Sequence, residues 1–216
     1  MKRLAVLLPV LQLSLTSATR SCDCPLQDNL LYGIQSYADD SSYHSGMSLP
    51  EYICCNNEQW AEHSGFYNDV DFFETLEANG AADAGAKPTI FYDSTCGIPL
   101  FQAPVDRTFE EWKSESQQHG WPSFRTREIF SDNLVVALNG ETKSVCGTHL
   151  GHNLPDVSGD RYCIDLVCMA GHPVVTTGNA SANGTCFEAN GASAIGIVAV
   201  PMVVASIMAA IQGARQ

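Results

Sequence analysis

Three short runs hold the residues of this chain that could do chemistry. They are His119-Gly120-Trp121-Pro122-Ser123-Phe124, Cys146-Gly147-Thr148-His149-Leu150-Gly151-His152 and Arg161-Tyr162-Cys163-Ile164-Asp165. A cysteine becomes nucleophilic when positive charge or hydrogen-bond donors stabilise its thiolate. Arg161 stands two positions before Cys163, so on a strand both side chains point to one face. His149 and His152 offer donors or proton carriers near neutral pH. Trp121 offers an apolar wall suited to a methyl or thioether group. Each has a plainer reading alone: a buried structural thiol, an ordinary core tryptophan, two histidines that only hydrogen-bond. Together they describe a site able to take an oxygen from a small sulfur-containing group.

Short strands must carry these residues. Thr89–Tyr92, Leu134–Leu138 and Tyr162–Met169 are β-favouring runs bounded by turn residues. Asn139-Gly140 marks a two-residue hairpin into Glu141–Val145, because both positions tolerate positive φ. Helices are expected near Asp71–Glu77 and over Phe109–Gln117. This spacing suggests an antiparallel, barrel-like β domain. It is preceded by a loop-rich extension over residues 21–88 and followed by a Gly-, Ser-, Thr- and Asn-rich linker over 173–193.

The run Cys96-Gly97-Ile98-Pro99-Leu100-Phe101 and the three runs above resemble, in order and spacing, the signature of the methionine sulfoxide reductase B family. The resemblance covers residues 89–172. It implies a mainly β fold, a small antiparallel barrel of the β-tent type. It also implies reduction of methionine-R-sulfoxide, free or in oxidised proteins, to methionine. Cys163 matches the cysteine that attacks the sulfoxide sulfur and is left as a sulfenic acid. His149 and His152 match the histidines that bind the sulfoxide oxygen, and Arg161 the arginine flanking the nucleophile. Trp121 matches the tryptophan packed on the substrate methyl, with Pro122 and Phe124 in the same substrate-binding run. A sulfenic acid needs a second thiol to be reduced, so an external reductant such as a thioredoxin-like protein is implied. Cys168, five positions on in a regular strand, faces away from Cys163, whereas Cys54 or Cys55 could swing in.

Two departures qualify the resemblance. Many family members hold a structural zinc with two C-x-x-C pairs. Here those pairs read Asp93-Ser94-Thr95-Cys96 and Lys143-Ser144-Val145-Cys146. No zinc or other cofactor is expected, and the family's fold implies a Cys96–Cys146 disulfide in its place. The second departure is Asp165, where the family usually has Asn. A carboxylate there would either raise the thiol pKa or, if protonated, donate to the sulfoxide oxygen.

The whole chain sets the surroundings. Its 216 residues and 45% hydrophobic content suit one globular domain. A net charge of −13 argues against nucleic-acid binding. Lys2 and Arg3 before the apolar run Leu4–Leu15 read as a signal peptide over residues 1–20. Nine cysteines then fit an oxidising compartment, the odd count leaving at least one thiol over. Sequons at Asn179 and Asn183 agree with this route. Residues 194–211 carry no charge and are long enough to form a hydrophobic membrane helix or the signal for a lipid anchor. The expected location is extracellular or luminal, attached to a membrane. Two other readings stay open: a disulfide-rich, membrane-tethered binding module that kept the fold without turnover, and a zinc protein using His149 and His152.

Overall fold

The computed structural model of the chain describes residues 20–56 and 60–174. The signal-like N-terminus, the sequons and the apolar tail lie outside the described residues. Among the described residues, no helix is long and apolar enough to cross a membrane.

The elements run α1 (Gln35–Asp39), α2 (Leu49–Cys55), α3 (Phe72–Ala78), β1 (Thr89–Tyr92), β2 (Pro99–Ala103), α4 (Phe109–His119), β3 (Ser123–Arg125), β4 (Leu134–Val136), β5 (Glu141–Ser144), β6 (His149–Asn153), β7 (Arg161–Ile164) and α5 (Leu166–Met169). Five strands form an antiparallel sheet in the order β3–β7–β6–β5–β4, while β1 and β2 form a separate antiparallel hairpin. The fold is thus mixed α/β with antiparallel sheets, not mainly β. Among the described residues the sheets do not close into a barrel. Closure needs staggered strands paired edge to edge all round. Here β3 and β4 end the sheet, and among the described residues the hairpin's strand pairing to other segments is limited to isolated bridges such as Tyr92 to Gly171 and Phe101 to Ile129. Val135 and Val136 on edge strand β4 are exposed.

Packing explains why the two halves of the chain fold together. Thr108 caps α4 through a reciprocal capping box with Glu111, and Gly120 ends the helix at φ +88°, a conformation that favours glycine. The helix buries Trp112 completely, against Phe72 and Phe73 of α3, Phe91 of β1 and Phe124 of β3. Residues of 21–88 therefore share one aromatic core with residues of 89–172.

Two local expectations are corrected. The apolar run Tyr162–Met169 is not one strand: β7 stops at Ile164, Asp165 takes the cap position, and Leu166–Met169 is helical. A short, mostly apolar run has no clear periodicity to tell strand from helix. The hairpin at Asn139-Gly140 is longer than two residues, since the chain leaves β4 at Val136 and Ala137 N–H bonds to the Glu141 carbonyl.

Disulfides staple helix to helix, α2 to the N-terminal segment, and loop to loop. Cys54 pairs with Cys168, Cys55 with Cys22 and Cys96 with Cys146; Cys24 is also disulfide-bonded. The adjacent Cys54 and Cys55, on α2, thus reach two different partners. Among the described residues, Cys163 is the free cysteine.

Candidate active site

Strand pairing builds one wall of the site. Cys163 on β7 lies between Ser123 of β3 and His152 of β6. Gly151 of β6 has φ +126°, and a Cβ there would stand 2.2 Å from the Cys163 carbonyl oxygen. Only glycine lets β6 pass so close to β7 at this point. The close approach sets the His149 and His152 rings 5.7 Å apart, edge to face.

A loop from the N-terminal extension builds the opposite wall. Trp60, Ala61 and Trp121 face His149, His152, Cys163 and Asp165 across a cleft of about 240 Å³. Trp121 is fixed from both sides. Its Nε1 donates to the Glu62 carbonyl at 3.1 Å, and the preceding Gly120 carbonyl accepts from Gly65 N–H at 2.8 Å. Glu62 also reaches the other wall, because its Oε1 accepts from Leu166 N–H at 2.6 Å, the first residue of α5.

The structure brings together Trp121, His149, His152, Cys163 and Asp165. It does not place Pro122 or Phe124 in the cleft. Pro122 is buried, and its carbonyl accepts from Ile164 N–H. Phe124 is fully buried, with ring centroid 4.5 Å from that of Phe101 in a stacked pair. The reason is alternation: Trp121 and Phe124 are three positions apart, and β3 turns Phe124 to the core face. Arg161 shares the Cys163 face of β7, is 8% exposed, and has its Nε 3.7 Å from Asp156 Oδ2.

The electrostatics favour neutral groups. Burial raises the Cys163 thiol pKa; the charge and hydrogen bond of Arg161 pull it back down, and the Asp165 and Glu62 carboxylates push it up again. Burial also holds Asp165 well above the usual carboxylate range. Glu62 is raised in the same direction by burial and then by the charge of Asp165. His152 is lowered, first by burial and then by the charge of His149. His149 Nε2 lies 3.4 Å from Asp165 Oδ2, and its Nδ1 lies 3.6 Å from Glu141 Oε1.

Glu62 and Trp60 were not among the residues suggested by the sequence. Glu62 is 104 positions from the residue it caps, in a loop without periodicity, and no local pattern distinguishes it from a solvated surface acid.

The candidate metal position can be tested on its donors. Ligand atoms of Asp93, Cys96 and Cys146 lie within 4.8 Å of one another. The two sulfurs are bonded to each other. Asp93 Oδ1 already accepts from Thr95 N–H at 2.7 Å, Thr95 Oγ1 at 2.8 Å and Thr148 Oγ1 at 3.0 Å. A sealed disulfide and one remaining carboxylate oxygen do not fit a zinc ion, which takes four ligands.

Comparison with known proteins agrees with the resemblance of the motifs. The chain is 27% identical over 103 residues to the peptide methionine sulfoxide reductase MsrB of Pseudomonas putida, covering 42% of this chain and 71% of that protein. It is 30% identical over 95 residues to the protein of the same name from Leifsonia xyli (39% and 63%). For that from Thiobacillus denitrificans the identity is 32% over 90 residues (37% and 62%). The chain thus spans between about three fifths and seven tenths of the relatives it matches. No protein-family model matches the chain, and no solved structure matches it. The chain is a distant homologue of proteins named MsrB over about two fifths of its length.

Proposed function

We propose that this protein is a peptide-methionine (R)-S-oxide reductase with Cys163 as nucleophile. The observation that carries the reading is the position of Cys163, the free cysteine among the described residues. Cys163 opens onto a cleft with an indole wall and two histidines, in a chain distantly homologous to proteins named MsrB. The substrate methyl packs on Trp121, and the sulfoxide oxygen points to His149 and His152. The Cys163 sulfur attacks the sulfoxide sulfur, and the sulfur–oxygen bond breaks. The oxygen passes to Cys163 as a sulfenic acid, and the thioether leaves as methionine. In net terms, thiol and sulfoxide give sulfenic acid and sulfide. An external dithiol then reduces the sulfenic acid, releasing water and its own disulfide. Because burial disfavours the thiolate, protonation of the sulfoxide oxygen is the step that makes attack favourable. No metal takes part in this scheme.

The buried Asp165 carboxyl in the cleft with Cys163, which with burial pushes the thiol pKa up, also favours a second reading, a binding module that kept the fold without turnover. The purified protein, assayed with dabsyl-methionine-R-sulfoxide and dithiothreitol against the S epimer, separates the two. Turnover of the R epimer alone supports the reductase. A folded protein inert to both epimers supports the binding module.

We place the protein in the secretory pathway, attached to a membrane through residues 194–211. The support is the basic-then-apolar N-terminus, the uncharged tail and the density of disulfides, which persist in oxidising compartments. Cell fractionation with and without phospholipase distinguishes a spanning helix from a lipid anchor, and a cytosolic location refutes both.

A further inference from the structure

At the back of the cleft lie two carboxyl groups far apart in the sequence, Asp165 lining the cleft itself. Glu62 and Asp165 are each only 3% exposed. Glu62 Oε1 is held by Leu166 N–H, while Glu62 Oε2 and Asp165 Oδ2 have no hydrogen-bond partner. Two ionised carboxylates this dry, one of them bonded to the residue that follows the other, would each lose their hydration and repel the other. A proton held between them relieves both penalties. On the cleft side, Asp165 Oδ2 lies 3.4 Å from His149 Nε2. On the far side, Glu62 lines a second cavity of about 400 Å³ that also contains Asp40, His63 and Asp69. Glu62 thus lines the outer cavity on one side and bonds next to Asp165 of the reacting groups on the other.

We propose that Glu62 and Asp165 form a buried, proton-sharing carboxyl pair that supplies a proton through His149 to the sulfoxide oxygen and takes back the proton of the Cys163 thiol. This rests on the reductase reading. The proton balance closes within the site: the pair gives one proton to the oxygen as the sulfur–oxygen bond breaks and regains one from the thiol as the sulfur attacks. Asp165 is the group at the cleft, and Glu62 is a positioning residue that keeps Asp165 protonated. When Glu62 ionises, its charge raises the affinity of Asp165 for its remaining proton. The other titratable and charged groups around the pair are Cys163, His149, His152, Glu141 and Arg161 on the sheet side. On the outer side they are His63, Asp40 and Asp69. Both carboxyl pKa values are raised by burial, in the direction the pair requires.

Three forms of the full chain test it: wild type, Glu62→Gln, which can still accept from Leu166 N–H, and Asp165→Asn. Infrared spectra at neutral pH should show a protonated-carboxyl C=O band in the wild type that each substitution weakens. The alkaline limb of kcat should move to lower pH in Glu62→Gln with KM unchanged. In Asp165→Asn, kcat should fall about a hundredfold, the lower range for loss of a proton donor, and that limb should disappear. A wild type without the band, or a folded Glu62→Gln whose kcat profile is unmoved, overturns the proposal while leaving the reductase reading intact. A wild type that turns over no sulfoxide at any pH fails the reductase reading, and proton delivery fails with it.

Discussion

The two walls of the cleft are built in different ways. The sheet wall sets Cys163 and His152 as cross-strand neighbours on β7 and β6, fixed by backbone ladders and a glycine contact. The loop wall, Trp60 to Glu62 with Trp121, is held by a few side-chain bonds and by the disulfide from α2 to α5. A regular ladder fixes positions to fractions of an ångström, so it suits groups that must react. A tethered loop suits groups that enclose substrate and exclude water. Substitutions on the sheet wall should therefore strike kcat, and those on the loop wall, the buried Glu62 carboxyl apart, should strike KM or stability.

The largest effect should come from the sheet wall. Cys163→Ser should lower kcat/KM for methionine-R-sulfoxide by at least about 10³, as expected when a nucleophile is removed, with thermal unfolding close to wild type. Near-normal turnover would remove Cys163 from its role and break the division between the walls.

The tether of the loop wall comes next. The Cys54–Cys168 disulfide closes a sequence separation of 114 residues, which in the chain-entropy picture stabilises by about 5 kcal/mol. The Cys54→Ala, Cys168→Ala double variant should lose about that much in urea unfolding and show a raised KM, because α2 leads into the loop carrying Trp60 and Glu62. A double variant with unchanged KM would show that the loop is held without the staple.

How these walls read from sequence differs for physical reasons. The sheet wall was legible because its residues fall in two short runs, 149–152 and 161–165, and strand alternation tells which share a face, as with Arg161 and Cys163. Thr89–Tyr92 is a strand with the expected bounds, and α4 runs only two residues past the expected Phe109–Gln117. Its Thr108 cap and the αL Gly120 mark its ends. The same logic failed for Tyr162–Met169, where every residue after Asp165 is buried and no face is distinguished. It failed again for Phe124, whose neighbour Trp121 faces the cleft while Phe124 itself serves the aromatic core. Of the loop wall, Trp121 was legible through its motif and lines the cleft, whereas the segment Trp60 to Glu62 was not. Glu62 acquires its meaning only from burial and from a partner about a hundred positions away, and neither quantity is written in its neighbours.

Trp121 tests whether the loop wall acts on binding. Trp121→Ala removes the indole facing Cys163 and its bond to the Glu62 carbonyl. Losing such an apolar contact in a pocket is worth about 1–3 kcal/mol, so KM should rise roughly tenfold or somewhat more. Trp121→Phe, which keeps an aromatic face but loses the Nε1 donor, should fall between. If kcat falls instead while KM holds, Trp121 positions the reacting groups and belongs with the sheet wall.

The smallest effect concerns His152 and the pH dependence of stability. Its pKa is lowered in the folded protein, first by burial and then by the charge of His149. A histidine with a lowered folded pKa binds protons more weakly in the native state than in the unfolded chain, whose value lies near 6.5. The unfolded state therefore gains protons first as pH falls, and stability declines below about pH 6.5. Above that pH the group is neutral in both states and contributes no slope. His152 is only partly buried, so water screens much of the effect and the decline should be shallow. His152→Asn should flatten the curve of unfolding free energy between about pH 5 and 7 without changing it at pH 8. The carboxyl pair has the opposite sign, because raised carboxyl pKa values make stability fall as pH rises above the normal carboxylate range. Its slope should persist in His152→Asn and weaken in Glu62→Gln. The two substitutions thus act on opposite limbs, one for each wall. A His152→Asn variant that retained the acid-side decline would assign it to another group and leave His152 without a measurable charge coupling to its neighbours.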